Sequence, residues 1–227
     1  MLRSMWLRRP GWPFVEPQWD LDKVLDFISS GELNVNTSKY YLIMKCVVLM
    51  GVALGYRISE FHSLLRGKYI QFSHNNLSVT IFPNASFLSK NESPLFRRRP
   101  IVLKAFLNRD GSHHTLCPVA CLKRYIQATN KFKSRFLFVN PVSGARCNKS
   151  SIVYFFRKLI SLAQPGAYSR FQDLRKLASW KAFWAKMSIP SIRNRGFWKS
   201  NSALARRYLA GATPLSNPCV ALGEVCH

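Results

Sequence analysis

The side chains in this sequence best suited to chemistry are cations and a phenol rather than carboxylates. Arg57 lies in Gly55-Tyr56-Arg57-Ile58-Ser59-Glu60 and Lys90 in Phe87-Leu88-Ser89-Lys90-Asn91. Gln172 and Arg175 share Gln172-Asp173-Leu174-Arg175-Lys176, and Gly196-Phe197-Trp198-Lys199-Ser200 precedes Ala205-Arg206-Arg207-Tyr208-Leu209. Only 10 of 227 residues are Asp or Glu, so the clustered carboxylates of a two-metal nuclease are poorly supplied. Metal-free attack on a phosphodiester needs cationic donors for the non-bridging oxygens, a side-chain nucleophile and an acid for the leaving oxygen. Arginine, tyrosine and lysine can fill those three roles. No GxxxxGKS or GxxxxGKT loop, HExxH pair or GxSxG elbow occurs, so nucleotide hydrolysis, zinc proteolysis and serine hydrolysis lack support.

Charge points to the partner. Lys and Arg number 34, for a formal charge of +24, and five of the ten acids fall within the first 32 residues. A folded chain with 48% apolar residues and this excess repels itself and attracts polyanions, of which a nucleic-acid backbone is the commonest. Nucleic acid is the expected partner. If about 8 phosphates are neutralised, log affinity falls with log salt at a slope near −7. The most apolar run, Cys46 to Tyr56, is far shorter than the roughly 20 residues that span a bilayer. The first residues carry neither the apolar core nor the cleavage site of a secretory signal. The expectation is therefore a protein of nucleus or cytoplasm, away from membranes. Six cysteines lack the density of a disulfide scaffold and are read as free thiols. The His113, His114, Cys117, Cys121 cluster lacks zinc-finger spacing, and Pro118 marks Cys117 as the residue before a helix. No metal or cofactor is expected.

These groups need elements to carry them. Asp20 can cap a short helix with Leu21, Val24, Leu25 and Ile28 on one face, a lead-in rather than a domain. Thr37 or Ser38 opens a longer helix that stops near Gly55, and a further helix runs from Ser59 through Leu65 to Gly67. Arg57 then sits at a helix junction. Tyr69–Phe72, Leu77–Phe82 and Ile101–Leu103 read as strands of a small antiparallel sheet. Pro118–Gln127, Ser151–Leu162, Asp173–Lys186 and Ser202–Ala210 show helical periodicity. The fold class is α+β, mainly α. The divisions are a lead-in over 1–36, a catalytic domain over 37–210 and a weakly patterned tail over 211–227.

Taken in order, the five segments resemble the tyrosine recombinase (phage integrase) family. Its pattern is an Arg in an RxSE context, a Lys in a β-hairpin region, HxxR, a His or Trp, and a Tyr about ten residues later. Pro17-Gln18-Trp19-Asp20-Leu21, the Leu116-Cys117-Pro118-Val119 step and Trp198 are similar to recombinases of DIRS-type retroelements. The resemblance covers about residues 17–210 and implies the integrase catalytic fold. It leaves no room for the family's N-terminal core-binding domain, expected to be missing from a fragment or supplied by a partner.

The resemblance implies roles. Arg57 and Arg175 grip the scissile phosphate, Tyr208 attacks it to form a 3′-phosphotyrosyl link, Lys90 protonates the leaving 5′-oxygen, and Trp198 donates its indole N–H to a phosphate oxygen. A straight helix would hold Trp198 and Tyr208 about 15 Å apart, so a break is required, and Lys199-Ser200-Asn201-Ser202 offers one. Gln172 replaces the family's His, and an amide cannot exchange a proton near neutral pH. A catalytically decayed DNA-binding remnant is therefore the alternative. Simpler accounts pair Arg57 with Glu60 and Arg175 with Asp173. The family implies a homotetramer on paired DNA sites, without metal, cofactor or ATP.

Overall fold

The computed structural model describes residues 16–31, 38–89, 92, 99–196, 198, 200–204, 209, 220–221 and 224–225. Helix α1 (Leu21–Ser29) starts where the Asp20 side chain accepts the Asp22 N–H at 2.7 Å, and it buries the expected face of Leu21, Val24, Leu25 and Ile28. It belongs to the same core as the rest of the chain. Trp19 meets Phe156 edge-on at 5.6 Å between centroids, and Gln164 closes a two-way hydrogen bond with the Asp20 backbone.

Helix α2 (Lys39–Leu54) is apolar on every side and runs through the centre of the core, as such a helix must. It ends at Gly55, whose φ of 59° is the left-handed value that favours glycine. Arg57 follows as the residue before α3 (Ile58–His62). The sequence pattern carries this helix to Leu65, yet it stops at His62. The Leu64 carbonyl accepts from Leu137 N–H and Arg66 N–H donates to the Arg135 carbonyl, so the chain gives up helical bonds for a short extended pairing. The Arg66 side chain closes that junction by donating to the carbonyls of Leu137 and Thr129 and to Thr129 Oγ1.

Strands β1 (Ile70–Phe72), β2 (Ser78–Ile81) and β3 (Ile101–Lys104) form an antiparallel sheet in that order, with Ile70 opposite Ile81 and Ile81 opposite Ile101. Val79, Ile81, Ile101 and Leu103 turn inward while Val102 faces out. Helix α4 (Pro118–Ala128) follows Cys117, whose Sγ accepts the Ala120 N–H. Helix α5 (Lys149–Ala163) is capped by Asn148. Helix α6 (Phe171–Trp184) packs on α2 where Gly51 leaves room; a Cβ there would collide with the Leu174 side chain. Helix α7 (Ile189–Gly196), absent from the sequence reading, comes before α8 (Asn201–Leu204). Of the helix expected over 202–210, residues 205–208 and 210 lie outside the described residues. In the tail, β4 (Val220–Ala221) and β5 (Glu224–Val225) pair beside α2, α6 and β3. No helix among the described residues is long and apolar enough to cross a membrane.

A buried ion pair ties α1 to α6. Lys181 of α6 is fully buried and pairs with Asp22 of α1. Removing one member of a buried pair strands the other charge. Asp22→Ala is expected to lower the unfolding free energy by about 3–5 kcal/mol, whereas replacing both residues with apolar side chains of similar volume costs far less. Urea denaturation of the two variants measures the contrast.

Candidate active site

The buried carboxylate of Glu60, one turn into α3, organises the centre. Its Oε2 accepts the Arg57 backbone N–H at 2.6 Å, and its Oε1 accepts Arg57 Nη1 at 3.0 Å. The same Oε2 lies 3.9 Å from Nη1 of Arg175, which comes from α6, more than a hundred residues further along. The expected pairing of Arg57 with Glu60 is therefore present, and it orients Arg57 while 28% of that side chain stays exposed.

Arg175 does not pair with Asp173. It is 2% exposed, donates through Nη2 to the Gly196 carbonyl at the end of α7, and holds its guanidinium carbon 4.3 Å from the Trp198 ring centroid. Stacking on an indole face fixes the guanidinium plane. Trp198 is 7% exposed and packs so closely on Gly196 that a Cβ there would overlap the ring. Helix α7 ends at Gly196, before Trp198, and α8 begins at Asn201, so Trp198 lies in neither helix; the stretch from Trp198 to Tyr208 on which a break is expected extends beyond the described residues.

Arg57, Gln172 and Arg175 line one open cavity of about 500 Å³. Arg157 of α5 and Arg170, immediately before α6, line it too, and sequence reasoning gave neither a place there. Arg170 had a legible signal, because Arg170-Phe171-Gln172-Asp173 repeats the Arg-apolar-polar-acid spacing of Arg57-Ile58-Ser59-Glu60. Asp173 accepts from Arg170 N, Nε and Nη2 at 3.2, 3.1 and 2.8 Å, which holds the Arg170 guanidinium even more firmly in its charged form. A second cavity of about 500 Å³ adjoins the first through Ile58, Val153 and Arg157 and continues along α5 past Lys149, Tyr154 and Lys158.

Lys90 and Tyr208 lie outside the described residues. Near Lys90, Phe87 and Glu92 face a small cavity together with Tyr56 and Glu60, and Ser89 is buried. Near Tyr208, Leu204 is fully buried and Leu209 packs on the core. Trp198 is not among the described residues on the wall of the large cavity; it stands behind Arg175. Among the described residues no group of three or more His, Cys, Asp and Glu could hold a metal ion. The Cys117 thiol instead accepts from the Phe106 and Ala120 N–H groups and lies 3.3 Å from His113 Nδ1.

Set against solved structures, this arrangement of helices and sheet superposes on the XerH site-specific recombinase bound to a palindromic difH substrate. The TM-score is 0.60 at 16% identity, over 87% of this chain and 50% of that one. The fold is that of the tyrosine recombinase catalytic domain. XerA recombinase matches at TM-score 0.57 and 14% identity, over 93% of this chain and 64% of that one. A lambda integrase dimer bound to a COC′ core site matches at 0.52 and 11%, over 93% and 53%. The chain thus spans between half and just under two thirds of the length of these recombinases. No protein-family model matches the sequence, and no curated protein does.

Within this recombinase fold Glu60 is the shared counterion of two guanidinium groups. Glu60→Gln is expected to lower the unfolding free energy by about 3 kcal/mol through loss of a buried negative charge, measurable by urea denaturation. The companion change Trp198→Leu leaves that charge in place and removes the ring on which Arg175 stacks together with its packing on Gly196. It should cost less than Glu60→Gln if the carboxylate is the main organiser.

Proposed function

We propose that the chain is the catalytic domain of a tyrosine recombinase, cutting and rejoining double-stranded DNA through a 3′-phosphotyrosyl link without metal or ATP. The observation that carries this reading is the convergence of Arg57, just before α3, and Arg175, from α6, on one buried carboxylate, with both arginines lining one open cavity. A phosphodiester in that cavity receives guanidinium N–H groups on its non-bridging oxygens, and these bonds strengthen as charge accumulates in the transition state. The Tyr208 oxygen attacks phosphorus and the bond from phosphorus to the 5′-oxygen breaks. The leaving oxygen takes a proton from Lys90, while the phenolic proton passes to water. Rejoining reverses these steps with a 5′-hydroxyl as nucleophile, so the phosphodiester bond energy is kept.

Gln172 lines the cavity and offers an amide N–H to a phosphate oxygen in place of an imidazole. Trp198 acts in this scheme chiefly by holding the Arg175 plane. Lys149, Arg157 and Lys158 on α5 continue the positive surface from the cavity and would follow the DNA backbone. The sequence pattern around Trp19, Cys117 and Trp198 supports a place among DIRS-type retroelement recombinases, and assembly as a homotetramer on paired sites, in the nucleus of a eukaryotic host or otherwise in the cytoplasm, completes the reading. A decayed remnant that binds DNA without cutting it is the second reading, favoured by one observation: Gln172 stands where the family pattern has His.

The test is incubation with nicked suicide duplexes in the presence of EDTA, followed by a denaturing gel. The expected result is a covalent adduct that vanishes in Tyr208→Phe and forms about 10²- to 10³-fold more slowly in Arg175→Ala. Gln172→His should speed its formation by up to about 10²-fold. Adducts persisting in Tyr208→Phe would remove Tyr208 from its role. Salt-sensitive binding with no adduct on any duplex would establish the remnant instead.

A further inference from the structure

We infer that Arg170 is a further phosphate-contacting residue of the large cavity, held there by Asp173 and supplying beside Gln172 a fixed cation that the glutamine amide does not. This inference rests on the phosphodiester-binding reading of the cavity and names an additional residue for it.

The two Arg-x-x-acid segments behave alike in three dimensions. Arg57 and Arg170 each sit just before a helix, and each has its backbone N–H and guanidinium gathered by the acid three residues on. In both pairs the acid is the buried member and the arginine the exposed one: side-chain exposures are 28% and 2% for Arg57 and Glu60, and 24% and 2% for Arg170 and Asp173. Each pair is thus a dipole with its negative end in the protein and its positive end toward the same cavity. A guanidinium has five N–H donors. The Asp173 carboxylate takes Nε–H and one from Nη2, leaving three outside that pair.

A surface arginine ordinarily samples many rotamers, and ordering it on a ligand costs entropy. Asp173 has already fixed Arg170 by two parallel bonds, so its donors need no reorganisation when negative charge grows on the phosphate. Space permits the contact. At roughly 30 Å³ per water, a cavity of about 500 Å³ holds a phosphate together with its flanking sugars, so Arg57 and Arg175 do not exhaust its wall. The Arg170–Asp173 pair closes the start of the helix that bears Arg175, so the same contact that fixes Arg170 ties it to the arginine already at the cavity.

The test uses the full chain and nicked duplexes carrying either a normal phosphate or a charge-free methylphosphonate at the scissile position. Arg170→Ala is expected to slow single-turnover adduct formation on phosphate by about 10- to 100-fold, with the deficit shrinking to within about 3-fold on methylphosphonate. Arg170→Lys keeps a cation beside Asp173 and so keeps the fold. It should not restore the rate, because an ammonium cannot hold the carboxylate and reach the phosphate with a planar fork. An unchanged rate in Arg170→Ala, or an equal deficit on both substrates, overturns the inference and leaves the recombinase reading intact. If the unaltered protein forms no adduct, the recombinase reading fails. The inference is then decided in a Tyr208→Phe background by whether Arg170→Ala weakens the preference in affinity for phosphate over methylphosphonate. An undiminished preference overturns it.

Discussion

Two guanidinium groups that share one carboxylate repel each other, and a chain of net charge +24 adds to that repulsion. Glu60 relieves it from inside the protein. Its two oxygens reach Arg57 through backbone and side chain and Arg175 across the gap to α6. A carboxylate in water would be too weakly coupled to fix either partner, whereas burial among helices raises the strength of both interactions. The same burial keeps the acid from occupying the cavity itself, so the outward faces of the cations remain available to an anion.

That carboxylate can bridge the two arginines only because the backbones are already close. Helix α2 ends in the left-handed turn at Gly55, which sends the chain into Arg57 and α3 at a set angle. Further back, Gly51 lets Leu174 of α6 lie directly against α2, and the residue after Leu174 is Arg175. The separation of two functional groups more than a hundred positions apart is therefore governed by one helix contact and one turn. Interiors packed at crystal-like density transmit such constraints with little slack.

Much of this was legible in the residues themselves. The apolar run of α2, its glycine stop, the alternating strands and the Asp20 and Cys117 helix starts all express local chemistry and lie close to where periodicity places them, whereas α5 begins at Lys149, two residues before the expected Ser151, because Asn148 caps it. Arg57, Gln172 and Arg175 could be singled out because their spacing follows a known pattern, and all three line one cavity. Other features depend on contacts that spacing does not encode. Helix α3 stops at His62 because Leu64 and Arg66 find partners at 135–137, a pairing across some seventy residues. Helix α7 escaped notice because Pro190 and a run of polar residues hide its short buried face around Ile192. The position of Trp198 behind Arg175 follows from the absence of a side chain at Gly196, which no reading of Trp198 alone would reveal. The repeated Arg-x-x-acid spacing at Arg170 was visible, but it gains meaning only when two helix starts are seen to open on one space.

The Lys181–Asp22 pair has a practical corollary for how the chain can be divided. Helix α1 looks dispensable in sequence, a short amphipathic piece ahead of the long central helix, and a natural trimming point would fall near residue 38. A shortened version cut there would retain Lys181 in the interior of α6 with its partner gone, exposing the apolar bed of α1 at the same time. Trp19 and α1 therefore belong to the same packed unit as the long central helix, and a cut at residue 38 divides a core rather than a linker.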